Sequence, residues 1–353
     1  MSNRENLLFA MIIVFLAGTG AMTAEHDSIV SVGAAAMVIV IASICYMFYK
    51  EHRKDLPLPS RSFRSKLSFE IKYTDDDGEV IVAGETPGKV KIPPCRGRRF
   101  LIQELTEENV TQYATEINRK KIKRLIVLNP ISTAVFETLV SRCRKLIVLD
   151  IIVDQVEDFS LLSNLKQLEF LSVEKCHKMT ELPDLTGMKK LEHLEIIESD
   201  GLTDVSALNA RPELEYLSLI KCSALKDISV LTYMKGLRHV NLAGASSLND
   251  LSDLTLSGLF SLDISECNEL TDISPLGTMQ ELRELTMNGW EHFDKITTLP
   301  DLPSLYNLLC NGSSAIKDLA WLEHQAQLQH LSLLGCENLS DISGLENTPE
   351  LRV

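Results

Sequence analysis

The sequence predicts an α/β solenoid, in which a curved parallel sheet of short repeated strands is closed by short helical or irregular segments. Three observations predict it and the segments before it: a repeat of 22 to 24 residues over two-thirds of the chain, two uncharged apolar runs near the N terminus, and alternating apolar residues between. The predicted domains are a membrane anchor at residues 1–54, a linker with a small β element at 55–104, and about ten repeats at 105–353.

The repeat is defined by a leucine that opens each unit. These leucines are Leu168, Leu191, Leu214, Leu237, Leu259, Leu282, Leu305, Leu328 and Leu351. Looser units begin at Ile122 and Leu146. Each unit continues as Leu-x-x-Leu-x-Leu, a short strand with one apolar face that a single copy cannot bury. Stacked copies therefore predict a parallel sheet with a continuous core behind it.

The ninth position of the units is mostly small or polar. Its residues are Cys176, Ser199, Cys222, Ala245, Cys267, Trp290, Ser313 and Cys336. With the Asp-Ile-Ser that follows in several units, this pattern resembles the leucine-rich repeats of the short internalin-type and phosphatase-regulator class. The resemblance implies a ninth side chain that turns inward and bonds the backbone of the turn. Trp290 departs from this pattern and predicts a local bulge.

Recurrent aspartates and cysteines both fit a structural role. Asp204, Asp227, Asp272 and Asp341 recur where a one-turn helix would begin, so they are predicted to cap backbone N–H groups. Of eight cysteines, four occupy the ninth position and none forms a Cys-x-x-Cys pair. This usage indicates buried thiols rather than disulfides or a zinc site, and reduced thiols favour a cytosolic compartment.

Two uncharged runs predict the anchor. Residues 7–24 and 28–49 are 18 and 22 residues long, enough to cross a bilayer. A transmembrane hairpin is the favoured interpretation, and a cleaved signal peptide followed by a single span is the alternative. Lys50, Arg53 and Lys54 adjoin the second run, so the positive-inside rule predicts repeats on the cytoplasmic side.

Between the anchor and the repeats, residues 67–73 and 79–83 alternate in polarity and predict a β-hairpin. Further strands are expected at 89–92 and near 100–103. The intervening acidic cluster lacks acids at the first and last positions of a calcium loop, so no metal site is predicted.

The first two repeats are predicted to be more helical than the later ones. Thr106 is the expected cap of a helix whose buried face carries Val110, Tyr113, Ala114 and Ile117. The pattern then predicts a strand at 122–127, a helix at 133–143 and a strand at 146–151. The last unit stops after Leu351, so the C-terminal end of the solenoid is expected to be uncapped.

Charge is unevenly distributed along the chain. The net charge is −14; residues 125–353 hold 17 basic and 34 acidic side chains, which leaves +3 for residues 1–124. An acidic solenoid argues against nucleic-acid binding. A basic cluster precedes it, either as a solvated surface or as a contact for anionic lipid headgroups. The cluster comprises Arg119, Lys120, Lys121, Lys123 and Arg124.

No phosphate-binding loop, nucleophile elbow or metal-ligand motif is present in the sequence, so no enzyme activity and no cofactor are predicted. The outward strand positions remain, which are predicted to be the second, third, fifth, seventh and eighth residues of each unit. We call the second, third and fifth of these the concave face. Aromatic anchors beside carboxylates on a rigid surface suit protein recognition and favour a basic partner. The predicted binding residues are Glu169, Phe170, Glu192, His193, Glu195, Glu215, Tyr216, Arg238, His239, Phe260, Asp263, Arg283 and Glu284.

These observations favour a membrane-anchored leucine-rich-repeat scaffold or adaptor that binds a protein partner through its concave face. One alternative is a structural subunit of a larger membrane complex that uses the uncapped C-terminal edge. The other is a surface receptor with extracellular repeats, in which the Asn-x-Ser/Thr sequons at Asn109, Asn311 and Asn338 would be glycosylated.

Overall fold

The computed structural model divides the chain into two compact units, with the boundary between Leu101 and Ile102. The structure describes residues 61–74, 79–92, 97–153, 155–293 and 298–352. Both apolar runs predicted to cross the bilayer lie outside these residues. Among the helices that the structure does describe, none has the length and apolar character needed to span a membrane.

The described part of the first unit is a small β element. Its strands are β1 (Arg61–Ser65), β2 (Glu70–Thr74), β3 (Val80–Glu85), β4 (Gly88–Ile92) and β5 (Arg99–Ile102), of which β5 ends one residue past the boundary. β2 pairs antiparallel with β3 and β5, which confirms the predicted hairpin, and β1 pairs antiparallel with β4. Phe63, Phe69 and Phe100 meet with ring centroids 4.8 to 6.0 Å apart. This aromatic cluster is the core of the element.

The second unit opens with two helices, α1 (Val110–Lys120) and α2 (Thr133–Arg142), which alternate with β6 (Arg124–Ile131) and β7 (Val148–Val153). Each later sequence repeat contributes one strand. These strands are β8 (Phe170–Glu174), β9 (His193–Ile197), β10 (Tyr216–Ile220), β11 (His239–Asn241), β12 (Ser261–Asp263), β13 (Glu284–Thr286), β14 (Asn307–Leu309) and β15 (His330–Ser332). From β6 onward each strand pairs in parallel with the next along the chain.

The pairing register places equivalent residues of successive units side by side. Phe170 lies opposite His193, His193 opposite Tyr216, and Tyr216 opposite His239. The opening leucines and the fourth- and sixth-position residues of these units are buried behind the sheet. The predicted parallel solenoid is therefore the observed fold of this unit.

The first helix begins later than the sequence predicts. Its N-cap residue is Asn109, and the Asn109 carboxamide accepts a hydrogen bond from the Thr106 backbone N–H at 2.8 Å. The expected Thr106 side-chain cap is wrong, because the residues between form a turn held by the Thr106 carbonyl and the asparagine. The predicted buried face is confirmed at Val110, Tyr113, Ala114 and Ile117.

The ninth-position side chains hold neighbouring units together. The Cys267 thiol donates to the Leu242 carbonyl at 3.2 Å, and the Cys336 thiol donates to the Cys310 carbonyl at 3.1 Å. In both cases the acceptor is the sixth residue of the preceding unit. The described cysteines are free thiols, and burial raises the pKa of Cys143 and Cys176 to about 12. These thiols therefore stay protonated and inert.

Trp290 makes the same inter-unit bond with a larger side chain. Its indole N–H donates to the Ile264 carbonyl at 2.7 Å, and the ring is 1% exposed. The strand of its unit, β13, keeps an unshifted register with β12 and β14. The expected bulge is therefore absent from the strand, since the core accommodates the indole; residues 294–297 of the unit lie outside the described residues.

A left-handed backbone turn follows each strand at the eighth position. Lys175, Glu198, Lys221 and Glu266 adopt φ values of 53 to 61° there, and Gly244, Gly289, Gly312 and Gly335 occupy the equivalent turn. Only glycine adopts this conformation without steric cost. The turn explains why glycine appears there in the later units.

Aspartates precede the short 3-10 turns on the other side of the units. Asp204, Asp227, Asp272 and Asp341 each accept a hydrogen bond from the backbone N–H two residues on, at 2.7 to 2.9 Å. These bonds lower the pKa of all four carboxyl groups. The prediction that these aspartates accept backbone N–H groups is confirmed, but they do so from the position before the N-cap residues, which are Val205, Ile228, Ile273 and Ile342.

Candidate protein-interaction surface

The concave face consists of rows that run across the strands, one residue from each unit. We call the second-position residues the edge row: Glu169, Glu192, Glu215, Arg238, Phe260, Arg283 and Tyr306. Each N–H of the row from Glu192 onward donates to the carbonyl of the row member before it, at 2.8 to 3.1 Å. The spacing of the row is therefore fixed by the sheet, at about 4.8 Å per unit.

The third-position residues form what we call the ring row: Phe170, His193, Tyr216 and His239. Successive ring centroids lie 4.4, 3.9 and 5.9 Å apart, with interplanar angles of 30°, 9° and 28°. These rings stack because the strand spacing matches the contact distance of parallel aromatic planes.

Most rings of the ring row are too buried to contact a partner. Phe170 is 3% exposed, His193 2% and Tyr216 9%. The sequence predicts exposed anchors at these positions, and that expectation is wrong because each ring covers its neighbours. The row stabilises the sheet and supports the edge row beside it, while His239 stays partly exposed.

His193 and Glu195 form a buried pair. The His193 Nε2 atom lies 3.0 Å from Glu195 Oε1, and Glu195 is 0% exposed. Burial lowers the pKa of His193, with Glu195 opposing the shift. Glu195 was predicted to be an accessible binding carboxylate; the structure corrects this, because its side chain is directed at the imidazole and enclosed.

The edge row remains accessible and changes character midway. Glu169, Glu192 and Glu215 are partly exposed. Arg238 and Arg283, from the repeats before and after Phe260, then lie over its ring, 5.5 and 4.8 Å from the ring centroid. The Arg238 guanidinium donates to the Gly258 carbonyl at 3.0 Å, which fixes its position. The row is therefore acidic over β8–β10 and cationic and aromatic over β11–β13.

Tyr306 extends this row and was missed in the sequence. Its hydroxyl donates to Glu284 Oε1 at 3.2 Å. Burial raises the pKa of Glu284 to about 7, with Tyr306 opposing the shift. The signal was present, because Tyr306 occupies the same second position as Phe260.

Asp263, a predicted binding residue, belongs to the fifth-position row. One of its carboxylate oxygens accepts from the Asn241 amide at 3.2 Å, and the other accepts from the Ser265 backbone N–H at 2.9 Å. Burial raises its pKa. These bonds give Asp263 a structural role at the end of β12. Among the described residues, no group of three or more His, Cys, Asp or Glu side chains could hold a metal ion.

A shallow depression opens beside the acidic half of the edge row. Its lining includes Glu192, Glu215, Glu213, Lys189 and Arg211. Arg211 is 6% exposed and donates to the Lys189 carbonyl at 2.8 Å. Sequence reasoning missed this arginine, although it interrupts a column of apolar residues three positions before each opening leucine. The column includes Leu165, Met188, Met234, Leu256, Met279 and Leu302.

The predicted lipid-contact residues do not share one surface. Arg119 and Lys120 lie in the last turn of α1, where Arg119 pairs with Glu116. Lys121 is the left-handed C-cap of the helix. Arg124 lies in β6 at a third position, where burial lowers its pKa and Glu169 opposes the shift. Arg124 therefore belongs to the concave face and not to the helix end.

Comparison with known proteins identifies the repeats. Residues 142–288 match the family model of the leucine-rich repeats of plant disease resistance proteins of the RPS2-like type. A protein of Trypanosoma equiperdum, provisionally named as an adenylate cyclase regulatory protein, is 30% identical over 86 residues; the match covers 24% of this chain and 14% of that protein. Residues 142–288 are therefore similar to leucine-rich repeats, and the segment aligned with the trypanosome protein spans about a seventh of that curated relative.

Two of the solved structures to which the chain is similar come from a bacterium and a mammal. An internalin, InlF, of Listeria monocytogenes is 21% identical, with a TM-score of 0.38 over 65% of this chain and 79% of that chain. A chain of the mouse RP105/MD-1 complex is 16% identical, with a TM-score of 0.39 over 69% of this chain and 48% of that chain.

Proposed function

We propose that this protein is a membrane-anchored scaffold or adaptor that binds a protein partner through the concave face. Leucine-rich repeat proteins act in protein–protein interaction, and the accessible edge row supplies the chemistry for it here. The observation that carries the proposal is this row, whose spacing is fixed by consecutive backbone hydrogen bonds and whose side chains are charged or aromatic. Such a surface needs little reorganisation on binding.

Site-specific photo-crosslinking tests which surface the partner contacts. A photoreactive side chain at Ser261, on the concave face beside Phe260, is expected to crosslink a protein in native membranes. The same group at Thr278, an exposed residue of the 3-10 turn Ser274–Thr278, is the matched control from the same unit. Crosslinking to the same protein from Thr278 and not from Ser261 would contradict the proposal.

We further propose that residues 7–49 anchor the chain in the membrane and that the repeats face the cytoplasm. The sequence supports this through the two uncharged runs and their basic flank. Protease added to intact cells should leave the repeats uncleaved, and protease added to permeabilised cells should degrade them. Cleavage in intact cells would contradict the assignment and favour a surface receptor.

The sequons offer an independent readout of sidedness. The Asn311 carboxamide oxygen accepts from the Ser332 hydroxyl and from the Leu334 N–H, and the Asn338 amide donates to the Ser314 carbonyl. On the cytoplasmic side all three sequon asparagines stay unmodified. A glycan on Asn338, the exposed member of this pair, would contradict the proposed side.

Contact with anionic lipid is proposed for the end of α1 alone. Lys121 and Lys123 are exposed there, whereas Arg119 is paired and Arg124 lies on the concave face. A spin label at position 121 of the full chain, reconstituted in vesicles, should approach the headgroups when phosphatidylserine is present. An equal signal in phosphatidylcholine vesicles would refute the contact.

A further inference from the structure

The edge row reverses its charge at a single step. Glu169, Glu192 and Glu215 precede β8, β9 and β10, whereas Arg238 and Arg283 precede β11 and β13. The Glu215 N–H and carbonyl bond directly to the neighbouring members of the row, so the acidic half and the cationic half are contiguous. A uniformly basic partner would be attracted by one half and repelled by the other.

The geometry of each half suits a specific kind of side chain. In the acidic half, Glu192, Glu213 and Glu215 line the depression together with Lys189 and Arg211, of which Arg211 is buried. The three carboxylates outnumber the two cations, so the depression favours a lysine or arginine of the partner. In the cationic half, the guanidinium groups of Arg238 and Arg283 lie over the ring of Phe260. The ring desolvates one face of each guanidinium group, which strengthens their attraction for a carboxylate.

We propose that the partner binds as a bipolar segment, with basic side chains over β8–β10 and acidic side chains over β11–β13. This inference rests on the proposed function and names the chemistry of the partner. From Glu169 to Arg283 the row advances five units, or about 24 Å at the strand spacing of a sheet. An extended segment of about seven residues covers that distance. The recognised element is therefore short, and it crosses the strands.

Two synthetic nonapeptides of the same composition test the order of charges. The block peptide is Lys-Lys-Lys-Gly-Tyr-Gly-Glu-Glu-Glu, and the mixed peptide is Lys-Glu-Lys-Gly-Tyr-Gly-Glu-Lys-Glu. Both are labelled, and their affinity for the full chain is measured by fluorescence anisotropy at low salt. The block peptide is expected to bind about tenfold more tightly, since it places three complementary charges over each half, whereas the mixed peptide places a net charge of only one over each.

Variants of the protein test whether both halves of the edge row are needed for the preference for the block peptide. Neutralising the acidic half (Glu169→Gln, Glu192→Gln and Glu215→Gln) or the cationic half (Arg238→Gln and Arg283→Gln) should each remove the preference for the block peptide. Matched controls elsewhere carry the same charge changes: Glu269→Gln, Glu323→Gln and Glu337→Gln, or Lys226→Gln and Lys317→Gln. These residues are exposed and lie outside the edge row, so the preference should persist.

The outcomes separate this inference from the proposed function. Equal affinity for the two peptides, or no binding of either, overturns the bipolar segment. A preference that survives neutralisation of the cationic half also overturns it. Crosslinking of a protein from Ser261 would still support the concave face in those cases, because it does not depend on the order of charges.

Discussion

The indole of Trp290 donates an inter-unit hydrogen bond that a thiol or a hydroxyl donates in other units. Cys267 and Ser313 donate to the sixth-position carbonyl of the preceding unit, and Trp290 donates to the equivalent carbonyl of Ile264. A buried carbonyl that loses its donor costs free energy, so the indole N–H of Trp290 stabilises the fold in addition to the packing of its ring.

Replacement of Trp290 by phenylalanine should therefore lower the free energy of unfolding by about 2 kcal/mol, from the lost hydrogen bond and the smaller ring. Urea unfolding of the full chain measures the change. Trp321→Phe is the control, because its indole bonds only to Asp318 three residues away. A larger loss in the control variant would show that the inter-unit bond is not the main contribution.

His239 gives a prediction for pH. Burial lowers its pKa to about 4, helped by the nearby charges of His193 and Arg238. The unfolded chain takes up a proton near pH 6.5, so the stability from neutral His239 is complete above that pH and is lost as the pH falls towards 4. Relative to the wild type, His239→Gln should gain about 1 to 2 kcal/mol between pH 7.5 and pH 5. Thermal unfolding at the two pH values measures this.

Glu284 should show the opposite dependence. Burial raises its pKa to about 7, so its stabilising protonated form is complete below pH 4.5 and is lost as the pH rises through 7. Glu284→Gln should therefore gain stability relative to the wild type between pH 5 and pH 8. The same direction of change in both variants would refute the burial assigned to one of the two groups.

At the scale of the element, the left-handed turn after each strand contains a strained non-glycine residue in some units. Glu266 has φ 56°, while the following units place Gly289, Gly312 and Gly335 in the same turn. A non-glycine residue in this region is strained.

Glu266→Gly should raise the free energy of unfolding by about 0.5 to 1 kcal/mol, because the relief of strain exceeds the added entropy of the unfolded chain. Gly312→Ala is the reciprocal variant, since a Cβ there meets no atom within 4 Å and tests the backbone alone. It should destabilise the protein. If Gly312→Ala is neutral, the turn is not strained.

The aspartate caps make a collective prediction for the 3-10 turns. Asp227→Ala, Asp272→Ala and Asp341→Ala together should lower the Tm, because each removes an acceptor for the first N–H of its turn. Because the pKa values of these carboxyl groups are lowered in the folded protein, their contribution to stability depends on pH. It is present above about pH 4 and is lost as the pH falls below it. Three further exposed aspartates changed to alanine outside such turns should leave the Tm unchanged.

At the scale of the whole molecule, sequence periodicity predicted the parallel sheet, its register and the buried leucines. It did so because identical units can satisfy their backbone hydrogen bonds in only one stacked arrangement. It did not predict which outward residues are accessible. Phe170, His193 and Tyr216 share the outward side of the strands with Glu192, yet stacking across the sheet buries the rings.

The irregular features also depend on contacts between units. Glu195 and His193 lie in one strand and contact each other, but the burial of both side chains depends on the neighbouring strands. Arg211 and Tyr306 could have been found by aligning the units column by column, because Arg211 interrupts an apolar column and Tyr306 shares the second position with the aromatic Phe260. The start of α1 could not, since it depends on a turn closed by the Asn109 side chain.

The central claim is that the partner binds the accessible edge row of the concave face. Its most direct test uses the partner protein that crosslinks at Ser261. The affinity of that partner is measured for the wild-type chain and for the variant that carries Glu169→Lys, Glu192→Lys and Glu215→Lys. Glu195 stays unchanged, because it is buried. The account predicts an affinity at least about tenfold weaker, and no such loss in a Glu269→Lys, Glu323→Lys, Glu337→Lys control. An equal affinity for the wild type and the edge-row variant would contradict it.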